Sequence, residues 1–391
     1  MAIKESRYQW SYRELQQQVD RLAALLAQTG AADQDHPVAL WLPNGAPVIA
    51  AMLATLKAGG FYVVIDPRYP AERNAEVLKN SQAEWVITDD AHRSAPGTLF
   101  PENRILMWHD EAAAGLPAKF SVPAPSSRRA AIVYTSGSTG QPKGVLHSHA
   151  FILNWTHLFV SDIHMASSDR VSLLYSASVA GAIRDIFGAL LTGATLLPFT
   201  AREHSFNEMA TYLVEERVSI YHSVASLFRQ LVMSQSIAGG FPDVRALVFG
   251  GERVLAQDLS MARDQFQADA MVYTSIGSTE TGTFARLFLR ADAEPEYAVM
   301  PLGYAPSGCR IILMDESRTA VFDGEPGEIV VESSCLAEGY WHNPQETARV
   351  FSAVPLKPSL RRYHTGDMGI RMVCYTTVGV LTASSKYMAT G

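Results

Sequence analysis

At 391 residues the chain exceeds what one hydrophobic core ordinarily supports, so two or three packed subdomains are expected. Hydrophobic residues make up 48% and charged residues 18%, a globular balance, and the formal charge of -7 excludes the net basic surface that a nucleic-acid partner demands. The start, Met1 to Arg7, lacks the apolar stretch of a signal peptide and no run of about 18 apolar residues occurs, so the reading is a cytoplasmic protein without a membrane partner.

In chain order, Ser11 and Glu14 have the spacing of a capping box, and Leu15, Val19, Leu22, Leu25 and Leu26 recur at helical spacing, which predicts a helix over 12–29. Strand-like apolar runs follow at 38–42, 61–65, 84–88, 104–107, 130–134, 171–174, 195–197, 218–221, 245–249 and 270–274. Helical patterns lie between them at 46–58, 71–80, 149–160, 182–191, 206–216, 223–234 and 256–264. This alternation predicts an α/β fold of mainly parallel sheets covered by helices, in two α/β subdomains. From about residue 300 shorter strands such as Arg310 to Leu313 and Glu328 to Val331, broken by Gly and Pro turns, predict a small β-rich region near the C-terminus. Cys309, Cys335 and Cys374 are widely spaced, with neither a disulfide framework nor a metal pattern, and read as buried small side chains. The histidines, His147 and His149 included, show no zinc spacing.

The segment from Tyr134 to Gly144 carries the densest chemistry. Gly137, Gly140 and Gly144 permit backbone conformations in which successive N–H groups converge on an anion. Thr135, Ser136, Ser138 and Thr139 add hydroxyl donors and Lys143 a positive charge. The run Ala130 to Tyr134 reads as a buried strand entering the loop and the stretch after Ser148 as a helix leaving it, the place where α/β folds bind nucleotides. It is not a Walker loop, because Lys143 is followed by Gly144 and Val145 rather than Ser or Thr. A Ser/Gly linker is the alternative, disfavoured by the tether to a buried strand.

This loop resembles the signature loop of the adenylate-forming superfamily, which comprises acyl-CoA synthetases, luciferases and the adenylation domains of nonribosomal peptide synthetases. Further blocks in the family's order carry the same resemblance: Ser11 to Glu14, Leu56 to Gly60, Val63 to Pro67, Phe187 to Ala194, Gly250 to Glu252, Gly277 to Glu280, Gly324 to Glu328, Gly339-Tyr340 and Tyr363 to Asp367. They span residues 8 to about 369, which the resemblance implies is the large N-terminal AMP-binding domain. The implied activity is ATP-dependent conversion of a carboxylic acid to an acyl-adenylate with release of pyrophosphate, then thioester formation on CoA or on the phosphopantetheine of a carrier protein. The phrasing of the blocks at 190–194 and 363–367 is similar to the peptide-synthetase branch.

The resemblance also implies residue roles. The loop residues and Lys143 would hold the phosphates, Thr279 would meet the α-phosphate, and Glu280 would bind Mg2+. Gly250, Gly251, Ser275, Ile276 and Gly277 would flank the adenine, and Asp367 would accept both ribose hydroxyls. Ile276 stands where many relatives keep a stacking Tyr. Ala180, Gly181, Arg184, His222, Val248, Ser275, Thr283 and Phe284 would wall the acid pocket. Ala180 takes the position of the Asp that pairs with a substrate ammonium, which puts recognition of an ordinary α-amino acid in doubt. Arg184 and His222 read either as contacts for a hydroxyl or second carboxylate, or as a helix ion pair and a core histidine.

After Asp367 the expected Gly-Arg-x-Asp-x-Gln hinge block is absent. Permitted codons for residues 373–391, read one frame over, can spell a peptide with Asp, Gln, Val, Gly, Tyr and Arg at the hinge block's offsets. Residues 370–391 therefore read as a non-homologous tail, either a frameshifted hinge region or a natural divergence. That reading leaves a second expectation open, a truncated and catalytically impaired remnant that binds ATP or acid without turnover.

Overall fold

The computed structural model describes residues 1–109, 127–136, 142–234, 239–374 and 377–384. The predicted α/β architecture is present, as two helix-covered sheets and a third, antiparallel one near the C-terminus. The helix Tyr12–Thr29 begins where the capping box predicts: the Ser11 hydroxyl accepts from the Glu14 N–H at 3.2 Å, and the Glu14 carboxylate accepts from the Ser11 N–H at 2.7 Å. It ends at Gly30, whose φ of 67° is the left-handed cap that glycine adopts without strain.

The first sheet runs Gly339–Tyr340, Pro142–Ser148, Arg129–Ser136, Tyr62–Ile65, Val38–Trp41, Trp85–Thr88, Ile105–Met107. Its strands from Arg129 through Met107 pair in parallel, whereas Pro142–Ser148 pairs antiparallel to Arg129–Ser136. The helix begins at His149, where the stretch after Ser148 was expected to be helical, but the strand Pro142–Ser148 before it was not foreseen. Lys143 and Gly144 lie on this strand, opposite Thr135 and Tyr134, and the helix His149–Asp162 starts only after it. The strand escaped notice because Pro142, Lys143 and Gly144 carry turn composition, and only Gly144 to Ser148 is buried throughout.

The second sheet runs Gly282–Arg290, Met271–Ser278, Ala246–Gly250, Ile220–Ser223, Arg170–Leu173, Thr195–Pro198, Ile3–Lys4, Gln9–Trp10. Its central strands are parallel and its first pair is an antiparallel hairpin with a register shift between Ile276 and Gly277. One apolar cluster, from Leu15 and Val48 through Val145 and Phe159 to Ile186 and Val248, joins the two sheets into a shared core. The third sheet takes the order Cys309–Met314, Pro326–Ser333, Lys357–Cys374, Phe351–Val354, and Thr377–Ser384 also pairs with Lys357–Cys374. Among the described residues no helix is long and apolar enough to cross a membrane. Cys309 and Cys335 are free thiols, each donating to a backbone carbonyl.

Candidate active site

Two hairpins, one from each large sheet, meet at the C-terminal ends of the parallel strands, the position at which open α/β sheets bind ligands. The first carries Lys143. The second, Met271–Ser278 with Gly282–Arg290, carries Thr279 and Glu280 in its turn. The turn is closed by its own hydroxyls, with the Thr281 Oγ1 accepting from the Ser278 N–H at 3.1 Å. It is bolted from outside at three points. The His147 Nε2–H donates to the Thr279 carbonyl at 2.7 Å, the Ala337 N–H to the Glu280 carbonyl at 2.9 Å, and the Tyr340 hydroxyl to Glu280 Oε1 at 2.8 Å.

Tyr340 therefore stands between the two charges. Its hydroxyl reaches Glu280 while Lys143 Nζ lies 5.5 Å from its ring centroid. Burial raises the Tyr340 phenol, and the Glu280 charge adds to that, so the hydroxyl stays protonated and donates. Lys143 is itself ion-paired to Glu346, whose carboxyl is lowered to about 2 by hydrogen bonds from Arg349 and then from Lys143. A cleft lined by Glu76, Asn80, Lys143, Gly144, Tyr340 and Asn343 opens beside this pair. Among the described residues no group of three His, Cys, Asp or Glu side chains is placed to hold a metal. Glu280 is a single, nearly buried carboxylate. That donor set fits Mg2+, a hard ion that takes the rest of its shell from phosphate and water.

A second cleft, with an empty volume of about 770 Å³ open to solvent, is lined by Gly251 to Val254, Thr274 to Ile276 and Val299 to Leu302. Ser275 and Ile276 lie on its wall, and the Ile276 side chain supplies an apolar surface without an aromatic ring. Of the glycine pair only Gly251, at φ 82°, lines it. Gly250 faces the other way: a Cβ there would lie 3.4 Å from His222 Nε2, 3.5 Å from Ser275 Oγ and 3.8 Å from Arg184 Nη2. Gly277 is fixed by sterics, since a Cβ would meet the Gly282 carbonyl oxygen at 2.2 Å. Asp367 belongs to the third sheet, where its N–H donates to Thr365 Oγ1 at 3.0 Å; it is not among the residues lining this cleft.

On the Gly250 side lies a buried polar cluster. Arg184, on the helix Ala180–Thr192, donates through Nη2 to His222 Nε2 at 2.8 Å and reaches Ser275 Oγ and Thr283 Oγ1 at 3.3 and 3.4 Å. The guanidinium face rests on the Phe159 ring, 4.2 Å from its centroid. The His222 Nδ1–H donates to both oxygens of Asp185, at 2.7 and 2.8 Å. Because a guanidinium is donor-only, Nε2 must be the accepting nitrogen, so the imidazole is neutral with its proton on Nδ1. Burial depresses His222 in the same sense, Arg184 adds to it, and Asp185 opposes.

The remaining expected acid-pocket residues surround this cluster. The Trp155 indole N–H donates to Thr283 at 3.0 Å, Val248 and Phe284 are fully buried in the joint core, and Ala180 and Gly181 open the helix. A Cβ at Gly181 would touch the Tyr175 ring at 3.7 Å. Arg184, His222, Ser275 and Thr283 are thus brought together, and the helix-partner alternative for Arg184 does not occur. Gly137, Ser138, Thr139 and Gly140 lie outside the described residues, while Thr135 and Ser136 sit on the hairpin's first strand. Asp185, His147 and Tyr340 are the partners that motif reading missed. An adjacent Arg-Asp pair inside an otherwise apolar helix was the available signal for Asp185.

A family model described as AMP-binding enzyme matches residues 1–341. Bacitracin synthase 1 of Bacillus licheniformis is 31% identical over 92% of the chain, which covers 7% of that protein. The fold superposes with a TM-score of 0.88 on the AMPPNP-bound form of the nonribosomal peptide synthetase FmoA3, at 26% identity over 98% of this chain and 41% of that one. It matches the N-terminal subdomain of Klebsiella oxytoca NpsA, solved with 3-hydroxybenzoyl-AMSN, with a TM-score of 0.80 at 24% identity, covering 98% of this chain and 95% of that one. The chain thus spans a small part of the curated synthetases it resembles.

Proposed function

The chain belongs to the AMP-binding enzyme family, and from that premise we propose that it uses ATP to activate a carboxylic acid as the acyl-adenylate. One carboxylate oxygen of the acid attacks the α-phosphorus, the bond from that phosphorus to the bridging oxygen breaks, and pyrophosphate leaves with the electron pair. Attack of anion on anion is opposed chiefly by charge, so the residues needed are those that neutralise and align. Lys143 supplies a cation to the outer phosphates once they displace Glu346. Gly251, Ser275 and Ile276 receive the base, and Asp367 the ribose after movement of the third sheet. Thr279 meets the α-phosphate. Glu280, oriented by Tyr340, would hold Mg2+, which when bound offsets phosphate charge.

The single observation that carries this reading is the junction of the two hairpins. Lys143 and Glu280 come from different sheets yet share Tyr340. Ser275, on the wall of the second cleft, also bounds the buried Arg184 cluster, which supports reading that cleft and that cluster as neighbouring base and acid sites. The acceptor in the second half-reaction is a thiol, CoA or a carrier-protein phosphopantetheine, and the likeness to peptide synthetases favours the carrier. The assignment of 1–369 as the adenylating domain and 370–391 as a foreign tail belongs to the same proposal, and sequencing the gene through codon 372 tests it.

Acid-dependent ATP–pyrophosphate exchange tests the activity. Exchange with at least one acid of an aryl, hydroxy, amino and dicarboxylic panel is the expected result. Tight ATP binding without exchange for any acid would assign the chain a nucleotide-binding role in place of a ligase.

A further inference from the structure

We propose that the acid this site takes is a dicarboxylic acid, whose second carboxylate docks on Arg184 and Ser275 from the side that Gly250 leaves without a side chain. The inference rests on the ligase reading above and names its substrate class.

Three observations point to an anion. Arg184 is 3% exposed, and its Nε–H, also buried, has no partner among the described residues. A buried donor without a partner carries an uncompensated desolvation cost, larger on a charged group. Second, no carboxylate among the described residues forms an ion pair with this guanidinium. Asp185 is one imidazole away, with both its oxygens engaged by His222, and Asp162, which feels the Arg184 charge, is ion-paired to Arg286. The two contacts of Arg184 to hydroxyls, at 3.3 and 3.4 Å, are long for hydrogen bonds to a charged donor.

Third, the cluster is short of acceptors. His222 Nε2 is taken by Arg184, and the hydroxyls of Ser275 and Thr283 already accept from Arg184 while Thr283 also accepts from Trp155. What remains is donor capacity: two or more guanidinium N–H groups and the Ser275 hydroxyl, whose own bond to the Phe249 carbonyl is a loose 3.4 Å. Gly250 faces these groups without a side chain: a Cβ there would stand in ordinary contact, 3.4 Å from His222 Nε2, 3.5 Å from Ser275 Oγ and 3.8 Å from Arg184 Nη2. A planar, two-oxygen anion matches the guanidinium fork, whereas a hydroxyl satisfies one donor and leaves the charge unpaired. Asp185 is a positioning residue here: by fixing the proton on His222 Nδ1 it keeps Nε2 an acceptor and Arg184 turned toward Gly250.

The test uses the full chain and equilibrium calorimetry with acyl-sulfamoyl-adenosine mimics of a series of α,ω-dicarboxylic acids, each paired with its neutral mono-amide. For the best-fitting length the diacid mimic is expected to bind roughly 100-fold tighter than its mono-amide, since a site built around a buried charge rejects an uncharged isostere strongly. In Arg184→Met the preference should fall below about ten-fold, with Arg184→Lys intermediate. ATP affinity measured on each variant reports that the fold is intact, and the wild-type ligand pair decides the question if both variants fail to fold. Equal affinity within every pair, or a preference that survives in Arg184→Met, would overturn the proposal. Loss of the ligase reading is seen separately, as absence of pyrophosphate exchange with any acid, because the mimics report on the pocket without turnover.

Discussion

The Tyr340 hydroxyl donates to Glu280 Oε1 at 2.8 Å, joining the strand that pairs with the Lys143 hairpin to the turn of the other sheet's hairpin. Tyr340→Phe keeps the packing against Phe351 and removes this bond together with the hydroxyl's contact to Tyr363. Outer contacts that orient a metal-binding carboxylate are worth about 10-fold to 100-fold in metal affinity. The variant is therefore expected to need about ten-fold more Mg2+ for half-maximal ATP–pyrophosphate exchange, with near-normal exchange at saturating Mg2+. An unchanged Mg2+ dependence would remove Tyr340 from the site.

Lys143 is held by Glu346, which Arg349 grips at 2.7 and 2.8 Å. Phosphates arriving at Lys143 must displace that carboxylate. A partly exposed ion pair contributes up to about 1 kcal/mol, so Glu346→Gln should tighten ATP binding by about two- to five-fold. Lys143→Ala should weaken it and slow exchange by about 10-fold or more. Opposite signs for the two variants, read by nucleotide titration, distinguish a competing carboxylate from one that helps to bind.

His147 is fully buried, with Nδ1 unpartnered among the described residues and Nε2–H bound to the Thr279 carbonyl. Burial lowers its pKa from 6.5 to about 4. A protonated ring would bury an unsatisfied charged N–H, so folding favours the neutral form. The unfolded chain binds the proton first as pH falls. Its stabilising effect is therefore complete above about pH 6.5 and is lost between there and about 4, on the order of 3 kcal/mol in all. Urea unfolding from pH 7 to 4.5 should show wild type losing more stability than His147→Gln, whose amide can still donate to Thr279. Parallel pH profiles would place the acid sensitivity elsewhere.

The elements that sequence reading located well are those whose signal is local. The Ser11–Glu14 capping box sets the start of the first helix, and the apolar runs over 38–41, 62–65 and 246–250 mark parallel strands buried on both faces. What it missed depends on contacts distant in sequence. Pro142–Ser148 is a strand because Arg129–Ser136 and Gly339–Tyr340 pair with it, despite its turn-like first residues. Motif spacing pointed to Lys143 and Glu280. It gave no role to Tyr340, His147 or Asp185, because the bonds that make them matter cross 60, 132 and 37 residues of chain. Gly250 and Gly251 look alike in a motif, but Gly250 ends the strand facing Arg184 while Gly251, past the strand at φ 82°, lines the second cleft.

Glycines 250 and 277 should respond oppositely to the same substitution. At Gly277 an added Cβ falls 2.2 Å from the Gly282 carbonyl oxygen, a backbone atom that moves only if the hairpin's register shift opens. Gly277→Ala is expected to destabilise by about 2 kcal/mol or more, with the loss of exchange following the loosened Thr279–Glu280 turn. At Gly250 the nearest atoms are 3.4 Å or more away, an ordinary contact distance, and the backbone is unstrained. Gly250→Ala should therefore leave unfolding stability within about 0.5 kcal/mol while placing a methyl group over Arg184, Ser275 and His222. The expected signature is a KM for the acid raised about ten-fold or more, with ATP affinity retained. If Gly250→Ala lowers stability instead, or weakens ATP and acid equally, the Gly250 side of Arg184 is packing and not a binding site.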